Sequence, residues 1–231
     1  MKRMVLPELL DELPPEDAGA RRSRRDLQRL NGWMGHAGIM ARALRENRPE
    51  GQAQRVVELG AGDGRFLLSV ARRLNGAWAG TQAILVDRLR VADGEVGGRF
   101  ERAGWRARVE LAEAGEWLRR AERVPAQTVI SNLFFHQFPA EPLAELLRLA
   151  AKSANLVVAV EPRRAWLPGV CGRLLWVIGC NGVTRHDARI SIRAGFAGRE
   201  LTELWPERAG WRLTERPAGL FSHLFIARRK E

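Results

Sequence analysis

The chain of 231 residues has no tyrosine, two cysteines and only three lysines (Lys2, Lys152 and Lys230), and each shortage excludes something. Without tyrosine, no phenolic side chain can act as a general base. Cys171 and Cys180 stand nine apart with no CxxC spacing. Neither a zinc site nor a disulfide framework is indicated, and two semi-buried thiols in a reducing cytosol are expected. No apolar run approaches the ~20 residues of a membrane-spanning helix. The longest, Leu174 to Cys180, reads as a buried helix or pocket wall. The N-terminus reaches Glu8 and Asp11 before any long apolar stretch, so no secretory signal is expected and the cytoplasm is the expected compartment. Internal repeats and low-complexity tracts are lacking too.

What is present is arginine. The net charge of +11 would suit a nucleic-acid partner, but the arginines are spread over the whole length. With abundant Ala and Gly, they match the bias of a GC-rich bacterial genome. Nucleic acid is therefore not the expected partner. The one dense cluster, Arg21, Arg22, Arg24 and Arg25, reads as a solvated helix face rather than a phosphate-binding patch. Hydrophobic residues at 45% and charged residues at 28% are those of a globular protein, and the length suits one α/β domain.

Residues 1–50 read as a loose lead-in and two cap helices parted at Gly35, with Leu27, Leu30, Met34, Ile39, Met40 and Leu44 on apolar faces. Strand and helix signals then alternate through 51–162. Strands are expected at Arg55–Leu59, Ala83–Val86, Ala107–Ala112, Gln127–Ser131 and Asn155–Val160. Helices are expected at Gly64–Leu74, Arg88–Ala103, Glu116–Ala121 and Pro142–Ala151. Fully apolar strands such as the fifth suit a parallel sheet buried on both faces. Residues 163–205 form an insert, and 206–231 a terminal hairpin turning at Arg216-Pro217-Ala218-Gly219.

The segment Glu58-Leu59-Gly60-Ala61-Gly62-Asp63-Gly64-Arg65 places a strand, a glycine loop and a helix in the order of a nucleotide site. Its spacing departs from the dinucleotide fingerprint, because Arg65 holds the place of the third small residue. Glu58 would repel a pyrophosphate and suit a cationic ligand. S-adenosylmethionine (SAM) carries a sulfonium and an ammonium and no phosphate.

Glu58-x-Gly60-x-Gly62-x-Gly64 resembles motif I of class I SAM-dependent methyltransferases. The resemblance covers about residues 50–162 and, more loosely, the final hairpin. It implies a Rossmann-like α/β fold: a seven-stranded, mainly parallel sheet with an antiparallel C-terminal strand and helices on both faces. It also implies SAM as cofactor, with Glu58, Gly60, Ala61, Gly62 and Gly64 beneath the methionine and ribose. Asp87 would take the ribose hydroxyls, Arg88 would line the adenine, and Glu113 would bind its amino group. Ser131-Asn132-Leu133-Phe134-Phe135 takes the place of motif IV, with Asn132 at the cofactor, but lacks the Pro-Pro signature of amino-nitrogen methylation. The N-terminal helices and the insert resemble the small-molecule branch, which acts on phenols, quinols and polyketides.

On the acceptor side, two general-base candidates stand beside bland alternatives. His136 follows the fourth strand and either accepts a proton or caps the next helix. His186-Asp187 in the insert is either a base with its carboxylate or a turn and helix cap. His223 is expected to be structural. Trp33, Phe135, Trp166 and Trp176 are expected to line an apolar acceptor pocket, with Met34 and His36 closing its other side. The sequence thus predicts methyl transfer to oxygen or carbon of a small apolar acceptor, with transient membrane contact through a lipophilic substrate and the oligomeric state open. An RNA methyltransferase and a non-catalytic SAM-binding partner protein are the alternatives.

Overall fold

A computed structural model describes residues 2–14, 16–48, 54–89, 94–121, 127–166 and 179–230. Seven strands form one sheet: β1 (Arg55–Leu59), β2 (Gln82–Asp87), β3 (Arg106–Leu111), β4 (Gln127–Asn132), β5 (Leu156–Pro162), β6 (Trp211–Ala218) and β7 (Ser222–Arg229). Their order is β3-β2-β1-β4-β5-β7-β6. β1 to β5 are mutually parallel, and β7 lies antiparallel to both β5 and β6. This is the mainly parallel sheet with an antiparallel C-terminal strand that the sequence implied.

The helices are α1 (Leu9–Glu12), α2 (Ala18–Trp33), α3 (His36–Glu46), α4 (Arg65–Leu74), α5 (Val96–Glu101), α6 (Ala114–Arg120), α7 (Ala140–Ser153), α8 (Gly182–Ala194) and α9 (Glu200–Leu204). Asp17 caps α2 by accepting from the Ala20 N–H at 2.9 Å. Gly35, at φ +67°, separates α2 from α3, since this left-handed conformation ends a helix cheaply only for glycine. The Arg21–Arg25 cluster lies on α2, where Arg21, Arg22 and Arg25 are solvated as expected.

The sheet is filled from both sides because strand residues alternate. Val56, Val158 and Val160 meet Met40 and Leu44 of α3 and Leu67 and Val70 of α4. Val57, Val157 and Ala159 meet Trp117 of α6 and Leu143 and Leu147 of α7 on the opposite face. All seven residues of β5 are buried, as its continuous apolar run predicts.

Three boundaries differ from the sequence reading. The weak helix expected over Arg88–Ala103 is formed only at Val96–Glu101, and residues 90–93 lie outside the described residues. The terminal turn spans residues 219–221 rather than 216–219, because β6 pairs with β7 as far as Ala218. The insert supplies α8 and α9, while 167–178 lie outside the described residues. The order reverses between β1 and β4, which leaves a crevice at their carboxyl ends, the place where open α/β sheets bind ligands.

Candidate functional site

A cleft of about 690 Å³ opens at that reversal. Its floor is Glu58 at the end of β1 and the loop Gly60-Ala61-Gly62-Asp63. Val86, Asp87, Arg88 and Leu89 follow β2, and Ala112, Glu113 and Ala114 follow β3. Asn132, Leu133, Phe134, Gln137 and Phe138 follow β4, and Leu10, Leu27 and Gln28 cover it from α1 and α2.

The loop needs glycine for defined reasons. Gly60, Gly62 and Gly64 have φ of +69°, +54° and +73°. A Cβ on Gly60 would stand 2.4 Å from the Phe134 ring, whereas one on Gly62 would meet nothing within 4 Å. Gly62 therefore gives a ligand a bare backbone surface. Gly64 corrects the sequence reading: it does not line the cleft. A Cβ there would stand 2.7 Å from Leu85, so its role is close packing of α4 on β2.

Four of the loop's N–H groups, those of Gly60, Ala61, Gly62 and Gly64, are bonded within the protein. Gly60 and Ala61 donate to the Val86 carbonyl at 2.9 and 3.1 Å, and Gly64 to the Ala61 carbonyl at 2.9 Å. Gly62 donates to Asp87 Oδ2 at 2.8 Å. These donors, which would hold a phosphate at a glycine loop, are already paired. The nearby charge points the same way. Glu58 is fully buried, and one carboxylate oxygen has no hydrogen-bond partner. Burial, reinforced by Asp63 and Asp87, holds its pKa well above the usual carboxylate range. A buried carboxyl of this kind is set up to be satisfied by a cation.

The structure brings Glu58, Gly60, Ala61, Gly62, Asp87, Arg88, Glu113 and Asn132 into one cleft. It does not bring the acceptor-side candidates there. His136 is buried between two carboxylates, with Nδ1 2.9 Å from Glu161 and Nε2 3.2 Å from Glu8. Burial alone would lower its pKa, but the bonds to Glu161 and Glu8 outweigh this and raise it to about 9. It is a structural cation at neutral pH, which corrects its reading as a base.

Asp187 accepts from the Leu9 and Leu10 N–H groups at 2.9 and 3.0 Å and so caps the short α1. His186 lies beside it at 3.0 Å on α8, outside the residues that line the cleft. Asp187 is thus committed to capping α1, and the pair does not reach the cleft. Phe135 is fully buried in the α7-side core behind the cleft wall. Trp33 and Trp166 are 75% and 74% exposed and line no part of the cleft. These three placements correct the expected acceptor contacts. Trp176 lies outside the described residues. His223 is buried and bonded to Glu215 at 2.8 Å.

Sequence reasoning missed Glu161. Its carboxylate accepts from Ser131 Oγ at 2.9 Å and from the N–H groups of Phe134, Phe135 and His136 at 3.2, 2.9 and 3.3 Å. These bonds hold the turn after β4, where Leu133 takes a strained φ of +54°. The N-terminal strap joins the same network. Glu8 bonds His136 and the Ser191 hydroxyl, while Arg3 donates to the His136 and Phe138 carbonyls at 3.1 and 2.8 Å. Glu161 ends an otherwise apolar strand, and a carboxylate in that place was the available signal.

No family model and no curated protein match the chain. Solved structures do. The plantazolicin methyltransferase BpumL, in complex with S-adenosylhomocysteine (SAH), is 12% identical with a TM-score of 0.62, over 93% of this chain and 92% of that one. The mitomycin 7-O-methyltransferase MmcR is 17% identical with a TM-score of 0.62, over 95% of this chain and 60% of its own length. The magnesium protoporphyrin IX methyltransferase ChlM from Synechocystis PCC 6803, with bound SAM, is 13% identical with a TM-score of 0.51, over 96% of this chain and 88% of that one. The likeness establishes the fold: this chain has the Rossmann-like fold of SAM-dependent methyltransferases.

Proposed function

We propose that the protein binds SAM in the cleft at the β1/β4 reversal and transfers its methyl group to oxygen or carbon of a small, lipophilic acceptor such as a phenol, quinol or polyketide. The observation that carries this reading is the pairing of a buried, partnerless Glu58 oxygen with a glycine loop in which the N–H groups of Gly60, Ala61, Gly62 and Gly64 are already bonded within the protein. That environment opposes phosphate and favours a positively charged nucleoside. Solved structures of this fold with SAH or SAM bound support the same cofactor.

Glu58 and the bare face of Gly62 would hold the methionine and sulfonium side, Asp87 the ribose hydroxyls, and Arg88 and Glu113 the adenine side. SAM supplies a methyl already activated by the sulfonium. What is left to the protein is alignment and exclusion of water. Phe134, Phe138, Leu27 and Leu10 provide an apolar wall for the acceptor. Among the described residues no helix is long and apolar enough to cross a membrane, and transient contact with a bilayer would come through such a substrate.

Calorimetry tests the reading. SAM and SAH are expected to bind and NAD is not, and Asp87→Ala is expected to weaken both ligands by roughly tenfold, the loss of one or two hydrogen bonds. The raised Glu58 pKa adds a signature. A cation bound beside it favours the ionised form, so SAM binding releases a proton and tightens as pH rises. Binding of NAD with no binding of SAM or SAH would overturn the function.

A further inference from the structure

The N-terminal strap, residues 2–10, has its polarity inside out. Half-buried and exposed side chains alternate along it as far as Leu6, and again after Pro7. Arg3 and Glu8 turn in. Arg3 Nε donates to the Ala194 carbonyl at 2.8 Å, and the Glu8 carboxylate bonds His136 and the Ser191 hydroxyl. Leu10 reaches the cleft. Met4, Leu6 and Leu9 turn out and are 51, 41 and 39% exposed. A strap made for water would place its charges outside and its aliphatic groups inside. Here the charged residues take the sheltered positions. The aliphatic ones contribute fully only when a partner removes water from them.

The helix that follows carries charge of one sign. α2 holds five arginines and a single acid, Asp26, which is buried and bonded to the Asn181 N–H and the Thr184 hydroxyl. Arg21, Arg22, Arg25 and Arg29 are exposed, as is Trp33, and the helical repeat gathers them on one face. Among the described residues Arg21 and Arg25 have no partner. Arg22 donates to the Gly179 carbonyl at 3.2 Å, which leaves its charge uncompensated. Arg29 is paired with Asp26 at 2.6 Å and adds nothing to the free charge. Strap and helix cover the same cleft, which Leu10 lines from the one and Leu27, Gln28 and Gly32 from the other. The aliphatic strap face and the arginine face are therefore outer surfaces of one cover.

This combination restricts the partner. A second copy of the chain would set arginine against arginine across a two-fold axis. Nucleic acid would satisfy the arginines and leave Met4, Leu6 and Leu9 in water. A bilayer with anionic lipids offers both contacts: phosphates for the guanidinium groups, and the boundary of headgroups and acyl chains for the aliphatic and indole side chains. We propose that the outer surface of the cover, the strap at Met4, Leu6 and Leu9 together with the arginine face of α2 and its Trp33, docks on an anionic membrane surface. The inference rests in part on the lipophilic acceptor of the proposed function. An acceptor dissolved in the membrane would meet the elements that close the cleft without passing through water.

Co-sedimentation of the intact protein with vesicles tests this. Vesicles of phosphatidylcholine mixed with phosphatidylglycerol are expected to bind it, and vesicles of phosphatidylcholine alone are not. Binding is expected to fall as salt is added. Arg21→Gln/Arg22→Gln/Arg25→Gln is expected to weaken it on the order of a hundredfold, the sum for three basic side chains at an anionic surface. Met4→Ser/Leu6→Ser/Leu9→Ser is expected to weaken it by about tenfold or more, and Trp33→Ser severalfold. Circular dichroism is expected to be unchanged, since every altered side chain is exposed. Arg72→Gln/Arg106→Gln/Arg212→Gln removes the same charge from exposed positions on α4, β3 and β6 and is expected to bind like the wild type. The inference is overturned if phosphatidylglycerol vesicles do not bind, if the strap variant binds like the wild type, or if the control triple is as weak as the α2 triple. Tighter binding to an RNA oligonucleotide than to vesicles, or a dimer that the strap variant abolishes, overturns it as well. Failure of SAM and SAH to bind strikes the proposed function and leaves the vesicle result standing.

Discussion

The halves of the cleft proposed for the cofactor and for the acceptor are built by opposite means. The cofactor half is local: Glu58 to Gly64 and the end of β2 at Asp87 form it chiefly with backbone. Its key contacts are loop N–H groups returning to Val86 and Asp87. The acceptor half is assembled from side chains far apart in the chain. Arg3 and Glu8 reach across to His136 and Phe138, and Glu161 gathers the turn after β4. His36 bridges Asn132 and Ser222. One half depends on conformations that glycine allows, the other on buried charges that must stay paired. Damage to the first should therefore appear in ligand binding, and damage to the second in stability.

The largest expected effect is on the second. Glu161→Gln leaves the His136 cation buried beside a neutral amide and unsettles a turn held by Ser131 and three backbone donors. Breaking a buried pair of this kind costs about 3–5 kcal/mol, read from urea denaturation. A loss under about 1 kcal/mol would break the contrast between the halves.

Next comes the pH dependence of the same pair. The folded His136 pKa lies near 9, above its ordinary value of 6.5, so its contribution is fully present below 6.5 and is lost as pH rises through about 9. The unfolding free energy should fall by a few kcal/mol across that window. In His136→Leu, already less stable, that fall should be absent. An unchanged pH profile in the variant would show that another group sets it.

The smallest effect lies on the cofactor side. Gly60→Ala forces a Cβ toward Phe134 at a φ of +69°. The strain is of order 1–3 kcal/mol. It should surface as roughly tenfold or more weaker SAM binding by calorimetry, with secondary structure retained by circular dichroism. Equal loss of stability and of binding would dissolve the distinction.

This contrast also explains what could be read in advance. The positions of the strands along the chain, the glycine loop and Asp87 follow short-range patterns, and those were legible. His136 and His186 were legible as residues but not as roles. Whether an imidazole is a base depends on which carboxylates fold against it. Glu8 and Glu161 stand 128 and 25 positions from His136, and no periodicity links them. Phe135 faced the core instead of the cleft because a strained turn at Leu133 sets which of three neighbouring phenylalanines points inward.

By itself, the sequence determined the alternation of strands and helices, the terminal hairpin and the glycine loop with its acidic flank. Each of these rests on propensity, period or backbone freedom within a few residues. Only the tertiary structure decided the charge states of His36 and His136 and the carboxylates that tie down the N-terminal strap. Those properties arise from burial and from partners distant in sequence, and neither exists until the chain has folded.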